Sequence, residues 1–417
     1  MESLIESFTS NYYLVLMYLG FIILVASVMP RINRGNMIST PIVYLFLSIL
    51  VFMFFKESPL PHPINQPYLG KRLTELGIVI SLTAAGLKIK HPFRWSTWRY
   101  STRLLLITMP LTIAAIALVG WKWLGFAPAT ALLIGAVIAP TDPVLASDVQ
   151  TTPPDEDDHS NIRLTLSTEA GLNDGLAFPF TNMAILMAVV GVSPQLWAAD
   201  WLMVDVLYKT VVAVIVGIAC GWLLAKVMFS IPNTSSHINS ISAGILALSL
   251  GLFPYGLAEL LHSYGFIAVF VASCMFRRQE ETHEHILVMH DFSEELERIM
   301  IAVMFTFMGV YLTQEFLDDF RWYMLPMGLI ILFLIRPISG MIGLIGSGMT
   351  KGTRMVVAFY GVRGLGSVFY LLYAFTIVPF ERAEEALAQV MVVILMSIFF
   401  HGLTARPVME RWLPHHL

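Results

Sequence analysis

The sequence predicts an all-α polytopic membrane protein of about thirteen transmembrane helices, arranged as two repeats that each contain one broken helix. Three observations carry that prediction. The 417 residues are 57% hydrophobic and only 13% charged, with a mean hydropathy of +0.72, whereas soluble domains carry about 25% charged residues. Apolar runs of helix length recur along the whole chain. Two of those runs are interrupted in the middle, seven runs apart. This composition excludes a disordered chain, a fibre and an ordinary cytosolic enzyme. The net charge of −4 argues against a nucleic-acid partner.

The runs fall at 12–29, 39–55, 73–88, 103–121, 127–148, 163–191, 203–229, 238–261, 263–276, 296–313, 322–348, 354–378 and 386–404. The first is read as a retained span, because the charges before it are Glu2 and Glu6, where a cleaved leader carries Lys or Arg. No soluble domain is expected at either end. Cys220 and Cys274 both sit in apolar runs and are read as small buried hydrophobes. With the N-terminus outside, sixteen of the 25 Lys and Arg fall inside and six outside, while Lys209, Arg336 and Arg363 lie within spans. That bias, and the odd number of spans, predict an N-out, C-in orientation.

The fifth run carries Ala139-Pro140-Thr141-Asp142-Pro143, and its prolines remove backbone donors and disfavour helical geometry before them. The twelfth carries Gly361-Val362-Arg363-Gly364-Leu365-Gly366, whose glycines permit unwinding. Broken helices at matching places in two halves point to the substrate site of a transporter with inverted repeats.

Ionisable groups within spans cost about 2.5–3.5 kcal/mol each on insertion scales and ask for a reason. Asp205, Lys209, Glu259 and His262 lie near span ends, from which side chains reach the interface. His401 is read as a satisfied or interfacial histidine. The central group differs. The sixth run begins Glu169-Ala170-Gly171-Leu172-Asn173-Asp174-Gly175, with Glu169 and Asn173 on one helix face and Asp174 about 100° further round. Asp142 is placed to cap the positive end of a half-helix. Three acids (Asp142, Glu169, Asp174) therefore stand against two buried cations (Arg336, Arg363). Ion pairs alone would account for a bundle held together, but they leave one carboxylate, Asp174, free to take a proton or a cation.

At these residues the chain resembles the electroneutral branch of the monovalent cation:proton antiporters, the bacterial NhaP-like proteins related to animal sodium/proton exchangers. The resemblance rests on Ala139-Pro-Thr-Asp-Pro-Val-Leu-Ala-Ser147, Glu169-Ala-Gly-Leu-Asn-Asp-Gly175, Arg336-Pro337 and Gly361-Val-Arg-Gly-Leu-Gly-Ser367, in order along the chain. It implies the antiporter fold, in which two unwound helices cross near mid-membrane. Core helices would lie at about 103–191 and 322–404, and dimerisation helices at about 12–88 and 203–313. It also implies a homodimer in the lipid bilayer and an elevator-like motion of the core. By the same resemblance, Asp174 binds cation and proton in turn, and Asn173 is the neutral partner that marks this branch. Thr141 and Asp142 are the crossover residues of the first broken helix and Arg363 is their counterpart in the second, while Glu169 and Arg336 form a buried ion pair. Glu75 matches a glutamate seen near the site in relatives, although its place at the start of the third run also suits an interfacial side chain. One departure stands out: many relatives have Ser where this chain has Ala170, so one oxygen is missing from the ion's shell.

The function expected is electroneutral exchange of Na⁺ or Li⁺ for H⁺ across the bacterial inner membrane, with no cofactor or resident metal. Either ligand neutralises Asp174, a bare carboxylate is held back by its desolvation cost, and Asn173 cannot ionise. A K⁺/H⁺ antiporter of the same fold is the nearest rival. A cation channel or a non-transporting membrane sensor is more distant. Two polar loops remain, both expected inside: Pro153–His159, read as a solvated acidic loop with attraction of cations as the alternative, and Gln279 through Glu297, for which pH sensing by His283, His285 and His290 is the lesser reading.

Overall fold

The computed structural model describes residues 12–32, 40–54, 67–89, 94–142, 161–230, 240–279 and 283–412. All regular structure among them is helical. In chain order the helices are α1 (Tyr12–Ile32), α2 (Thr40–Phe54), α3 (Pro67–Leu87), α4 (Trp95–Lys122), α5 (Pro128–Ile138) and α6 (Asn161–Val190). There follow α7 (Lys209–Ser230), α8 (Ser240–Leu260), α9 (Gly265–Gln279), α10 (His283–Gln314), α11 (Met324–Gly343), α12 (Lys351–Phe359), α13 (Leu365–Ile377) and α14 (Ala383–Trp412). Among the described residues, α4, α6, α7, α8, α10, α11 and α14 are long and apolar enough to cross a bilayer. α1, α2, α5 and α13 carry shorter apolar helices. Trp95 at one end of α4, and Trp121 and Trp123 at the other, are exposed, as interfacial anchors would be. Cys220 and Cys274 are buried free thiols.

Each predicted run contains a helix, and two of the differences in extent bear on the charged residues. The third begins at Pro67 instead of 73, because Arg72 bonds Glu75 within the helix and lets its charged first turns remain helical. The tenth begins at His283 instead of 296. His290, Glu294 and Arg298 lie along that helix, with Lys88 of the neighbouring chain segment bonded to Glu294 at 3.0 Å. The stretch read as a polar loop is therefore its opening turns. The second half of the fifth run, the Pro153–His159 stretch and the side chains of His283 and His285 lie outside the described residues.

The two repeats are visible in their irregularities. α4 contains a π-helical turn, Leu104–Thr108, just before Pro110, and α11 contains another, Ile331–Ile335, just before Pro337. A proline inside a helix leaves a carbonyl without its usual donor, and a π turn is one way for the chain to absorb that. Each repeat then runs through a broken helix into a helix of 30 residues, α6 and α14, both with an internal proline.

Packing divides the helices into two groups. α1, α2, α3, α7, α8, α9 and α10 pack among themselves, and so do α4, α5, α6, α11, α12, α13 and α14. The groups meet along two main seams, α3 against α13 and α9 against α6. The second seam is close because α6 presents Gly171 and Gly175. A Cβ on either would lie 2.1 Å from Phe270 or Ile267 of α9. Small residues spaced four apart are the usual means of bringing membrane helices together.

Contact between α4 and α5 is equally tight: a Cβ at Gly135 would sit 2.6 Å from the carbonyl oxygen of Ile113. Gly135→Val is expected to destabilise the protein by about 1–3 kcal/mol through overpacking, read as a lower thermal unfolding midpoint in detergent. An unchanged midpoint would mean that these helices do not touch there.

Candidate functional site

The two breaks lie against each other. α5 stops at Ile138, and the chain runs on through Thr141 and Asp142 without helical bonds. α12 stops at Phe359, and α13 starts at Leu365. The Asp142 amide donates to the Val362 carbonyl at 2.7 Å, joining the two breaks by backbone. Each break also serves the end of the other's half-helix. The Asp142 carboxylate accepts from the Leu365 amide at 2.6 Å, at the positive N-terminus of α13. The Arg363 guanidinium donates from Nε to the Ile138 carbonyl at 3.1 Å, at the negative C-terminus of α5. Arg363 Nη1 also bonds the Gly361 carbonyl, and its amide donates to Ser397 Oγ at 2.9 Å.

α6 passes beside this crossing. Glu169 Oε1 accepts from Arg336 Nη2 at 2.6 Å, with both side chains buried. The π turn and Pro337 sit on either side of Arg336 in α11 and set where its side chain leaves the helix. Asn173 Nδ2 donates to Thr141 Oγ1 at 2.6 Å, tying α6 to the first break. Because the amide nitrogen is used there, Asn173 Oδ1 is left without a hydrogen-bond partner among the described residues. Asp174 is 2% exposed and its Oδ1 is likewise unpartnered. It lies against Gly366 in the first turn of α13, where a Cβ would come within 2.6 Å of that oxygen. Glycine is thus required if the carboxylate is to approach the helix N-terminus. Asp174 Oδ1 and Asn173 Oδ1 are thus buried without a hydrogen-bond partner among the described residues, the first of them beside the positive N-terminus of α13.

The structure brings Thr141, Asp142, Glu169, Asn173, Asp174, Arg336 and Arg363 together, all buried. Ala170 is buried beside them and contributes no oxygen. Glu75 is not part of this group. It is 7% exposed, two turns inside α3, and its carboxylate is taken by Arg72 at 2.7 Å and by the Tyr255 hydroxyl. The interfacial reading fails because α3 begins earlier than its hydropathy suggests. Asp205 is a second correction. It does not reach the interface but is buried between the two helix groups, accepting from Asn182 Nδ2 at 2.7 Å and Lys209 Nζ at 2.6 Å. The hydroxyl of Tyr373 on α13 completes this bridge at Asn182 Oδ1, 3.2 Å away. Glu259 and His262 are exposed, and His401 is buried with Nδ1 3.0 Å from Ser397 Oγ.

Sequence reasoning missed Tyr370, Asn182 and Ser397, and it read Gly366 as a helix breaker and not as the space for Asp174. Tyr370 donates its hydroxyl to the main-chain carbonyl of Asp174. Nothing in an apolar run marks one tyrosine as aimed at a particular carbonyl. Asn182 had a weak signal, an amide eight residues beyond Asp174 on the same helix.

A chain of two crossed broken helices around a buried unpaired carboxylate has the build of a secondary transporter. Residues 20–411 match the family described as sodium/hydrogen exchanger, transmembrane. The chain belongs to that family, and so is a transporter and not an enzyme. It is 24% identical over 416 residues to the K(+)/H(+) antiporter NhaP of Alkalimonas amylolytica, spanning 96% of this chain and 67% of that protein. It is 26% identical to Na(+)/H(+) antiporter 2 of Zygosaccharomyces rouxii over 73% of this chain, which spans only 38% of the yeast protein. The sodium proton antiporter MjNhaP1 from Methanocaldococcus jannaschii has a similar fold. The TM-score is 0.73 at 18% identity, over 97% of this chain and all of that one.

Glu169→Ala would leave Arg336 buried and unpaired, which costs about 3–5 kcal/mol. A sharp loss of folded, monodisperse protein after detergent extraction is expected. Wild-type yield and melting temperature would rule out a structural role for the pair.

Proposed function

We propose that this chain exchanges one monovalent cation, Na⁺ or Li⁺ in the first reading, for one proton across the membrane, with Asp174 as the group both ligands share. The observation that carries this is the unpartnered Asp174 oxygen, buried at the meeting of two broken helices. A carboxylate so placed must be neutralised by a proton or a cation before the site can move across a barrier. Asn173 Oδ1, free because its nitrogen is held by Thr141, offers the cation a second oxygen, and water fills the rest of the shell. Since Asn173 carries no charge, the exchange is one for one and electroneutral. Asp142 and Arg363 hold the half-helix ends, and Glu169 and Arg336 hold α6 to α11.

The movement is of elevator type, with α4–α6 and α11–α14 carrying the site past the other helices, which also provide the dimer surface. Support comes from the division of packing into two groups and from the seams between them. On the side of Asp174 toward the C-terminal end of α6, those seams are shut by stacked Phe178 and Tyr264, by Phe266 and Phe369, and by the Asn182–Asp205 bridge. With the N-terminus outside, as the distribution of Lys and Arg supports, that is the outer side. The chain is a multi-pass protein of the cell membrane, and the bacterial inner membrane fits its charge bias.

A K⁺/H⁺ antiporter is the second reading, favoured by two observations: Ala170 leaves the site short of an oxygen, and one relative, matched over 96% of this chain, is named for K⁺. Proteoliposomes holding a pH dye separate the two. Addition of Na⁺ or Li⁺, but not K⁺, should alkalinise the interior, with a rate unchanged when the membrane potential is clamped. A K⁺ response assigns the second reading, and a voltage-dependent current would sink both. Asp174→Asn is expected to abolish cation-driven proton movement while the folded protein is retained. Exchange surviving in that variant would remove Asp174 from the mechanism.

A further inference from the structure

α6 carries its ion-site residues on a helix that is locally weak. Pro179 lies inside it and has no amide to offer the carbonyl of Gly175, and it disfavours helical geometry at Phe178. Phe178 is the residue whose amide closes the helical turn onto Asp174's own carbonyl. The weakest rungs of α6 are thus the ones directly under the carboxylate. Gly175 adds to this, since it packs on Ile267 with no side chain to stiffen the turn.

Across the site, α13 presents two residues a turn apart to α6. Gly366 makes room for the Asp174 carboxylate, and Tyr370 gives its hydroxyl to the Asp174 carbonyl. The Tyr370 ring is fully buried and held edge-on by Phe178 at 5.0 Å and by Phe369 at 5.1 Å. The Pro179 carbonyl is itself taken by Trp201 Nε1 at 2.6 Å, so α6 is held from outside on both sides of the weak stretch.

We propose that Tyr370 is a positioning residue for ion exchange. Its hydroxyl splints α6 at the rung weakened by Pro179 and keeps the Asp174 carboxylate at the N-terminus of α13. It does not touch the cation, and it acts through the backbone of Asp174. This rests on Asp174 being the exchanging group.

The test is a cycle of four proteins, wild type, Tyr370→Phe, Pro179→Ala and the double variant, with Asp174→Asn alongside. Each is reconstituted and assayed for proton movement driven by whichever cation the wild type exchanges. Tyr370→Phe keeps the ring and removes one hydrogen bond. It is expected to raise the half-saturating cation concentration about fivefold, the worth of one neutral hydrogen bond, with a smaller change in maximal rate. Pro179→Ala restores the amide that Gly175 lacks, so the same tyrosine substitution should cost clearly less in that background. An unchanged half-saturating concentration, or an equal loss in both backgrounds, overturns the proposal. Loss of folded Tyr370→Phe protein by size exclusion also overturns it, since the hydroxyl would then serve the fold alone. If Asp174→Asn still exchanges, the broader reading has failed. If Asp174→Asn is inactive and Tyr370→Phe behaves as wild type, only the splint has.

Discussion

The crossed compensation of the two breaks is the constraint on which the rest depends. Unwinding a helix inside a membrane exposes amides and carbonyls that lipid cannot satisfy. Here each break depends on the other. Asp142 of the first satisfies the N-terminus of α13, and Arg363 of the second satisfies the C-terminus of α5. With those ends satisfied, the space between them holds a carboxylate that has no structural duty. Removing Asp142 would leave the amides of α13 competing for Asp174, and removing Arg363 would leave the Ile138 carbonyl at the end of α5 without that donor. The proposed ion site depends on the neighbouring charges being already committed to partners.

The same logic explains the neighbours of Asp174. Arg336 is turned away from it by Glu169, and Asn173 is turned by Thr141 so that its oxygen remains free. Gly366 removes the one side-chain atom that would block the approach. Buried charges are costly in pairs and more so alone, and at this site Asp142, Glu169, Arg336 and Arg363 each have at least one partner. Of the acids and arginines at the crossing, Asp174 is the one whose carboxylate lies free beside a helix end.

Much of this was legible in the sequence. Prolines at 140 and 143 and glycines at 361, 364 and 366 mark the breaks, because backbone chemistry is written in residue type. The excess of acids over arginines could be counted without coordinates. Less legible were features that depend on where a helix starts and what it meets. Lys71 and Arg72 lower the hydropathy of α3 and hide its first turns, so Glu75 was placed too close to the surface. Asp205 looks like a residue at a span end until α6 supplies Asn182. Tyr370 and Ser397 escape notice in the sequence because each meets a backbone atom of a distant segment, Asp174 and Arg363, and a single hydroxyl in an apolar run carries no directional information.

The cross-linking of the breaks also governs how the chain is made. Glu169 is 167 residues ahead of Arg336, and Asp142 is 223 residues ahead of Leu365. At about 5–20 residues per second of synthesis, the carboxylate of Asp142 waits about 10–45 s for the amide that will hold it. For that interval the first repeat sits in or beside the bilayer with unmatched acids. Water, the insertion machinery or protonation has to shelter them until the second repeat arrives. Biosynthesis of this protein therefore passes through a half-finished state that is electrically incomplete, and the moment of completion is the arrival of α11 to α13.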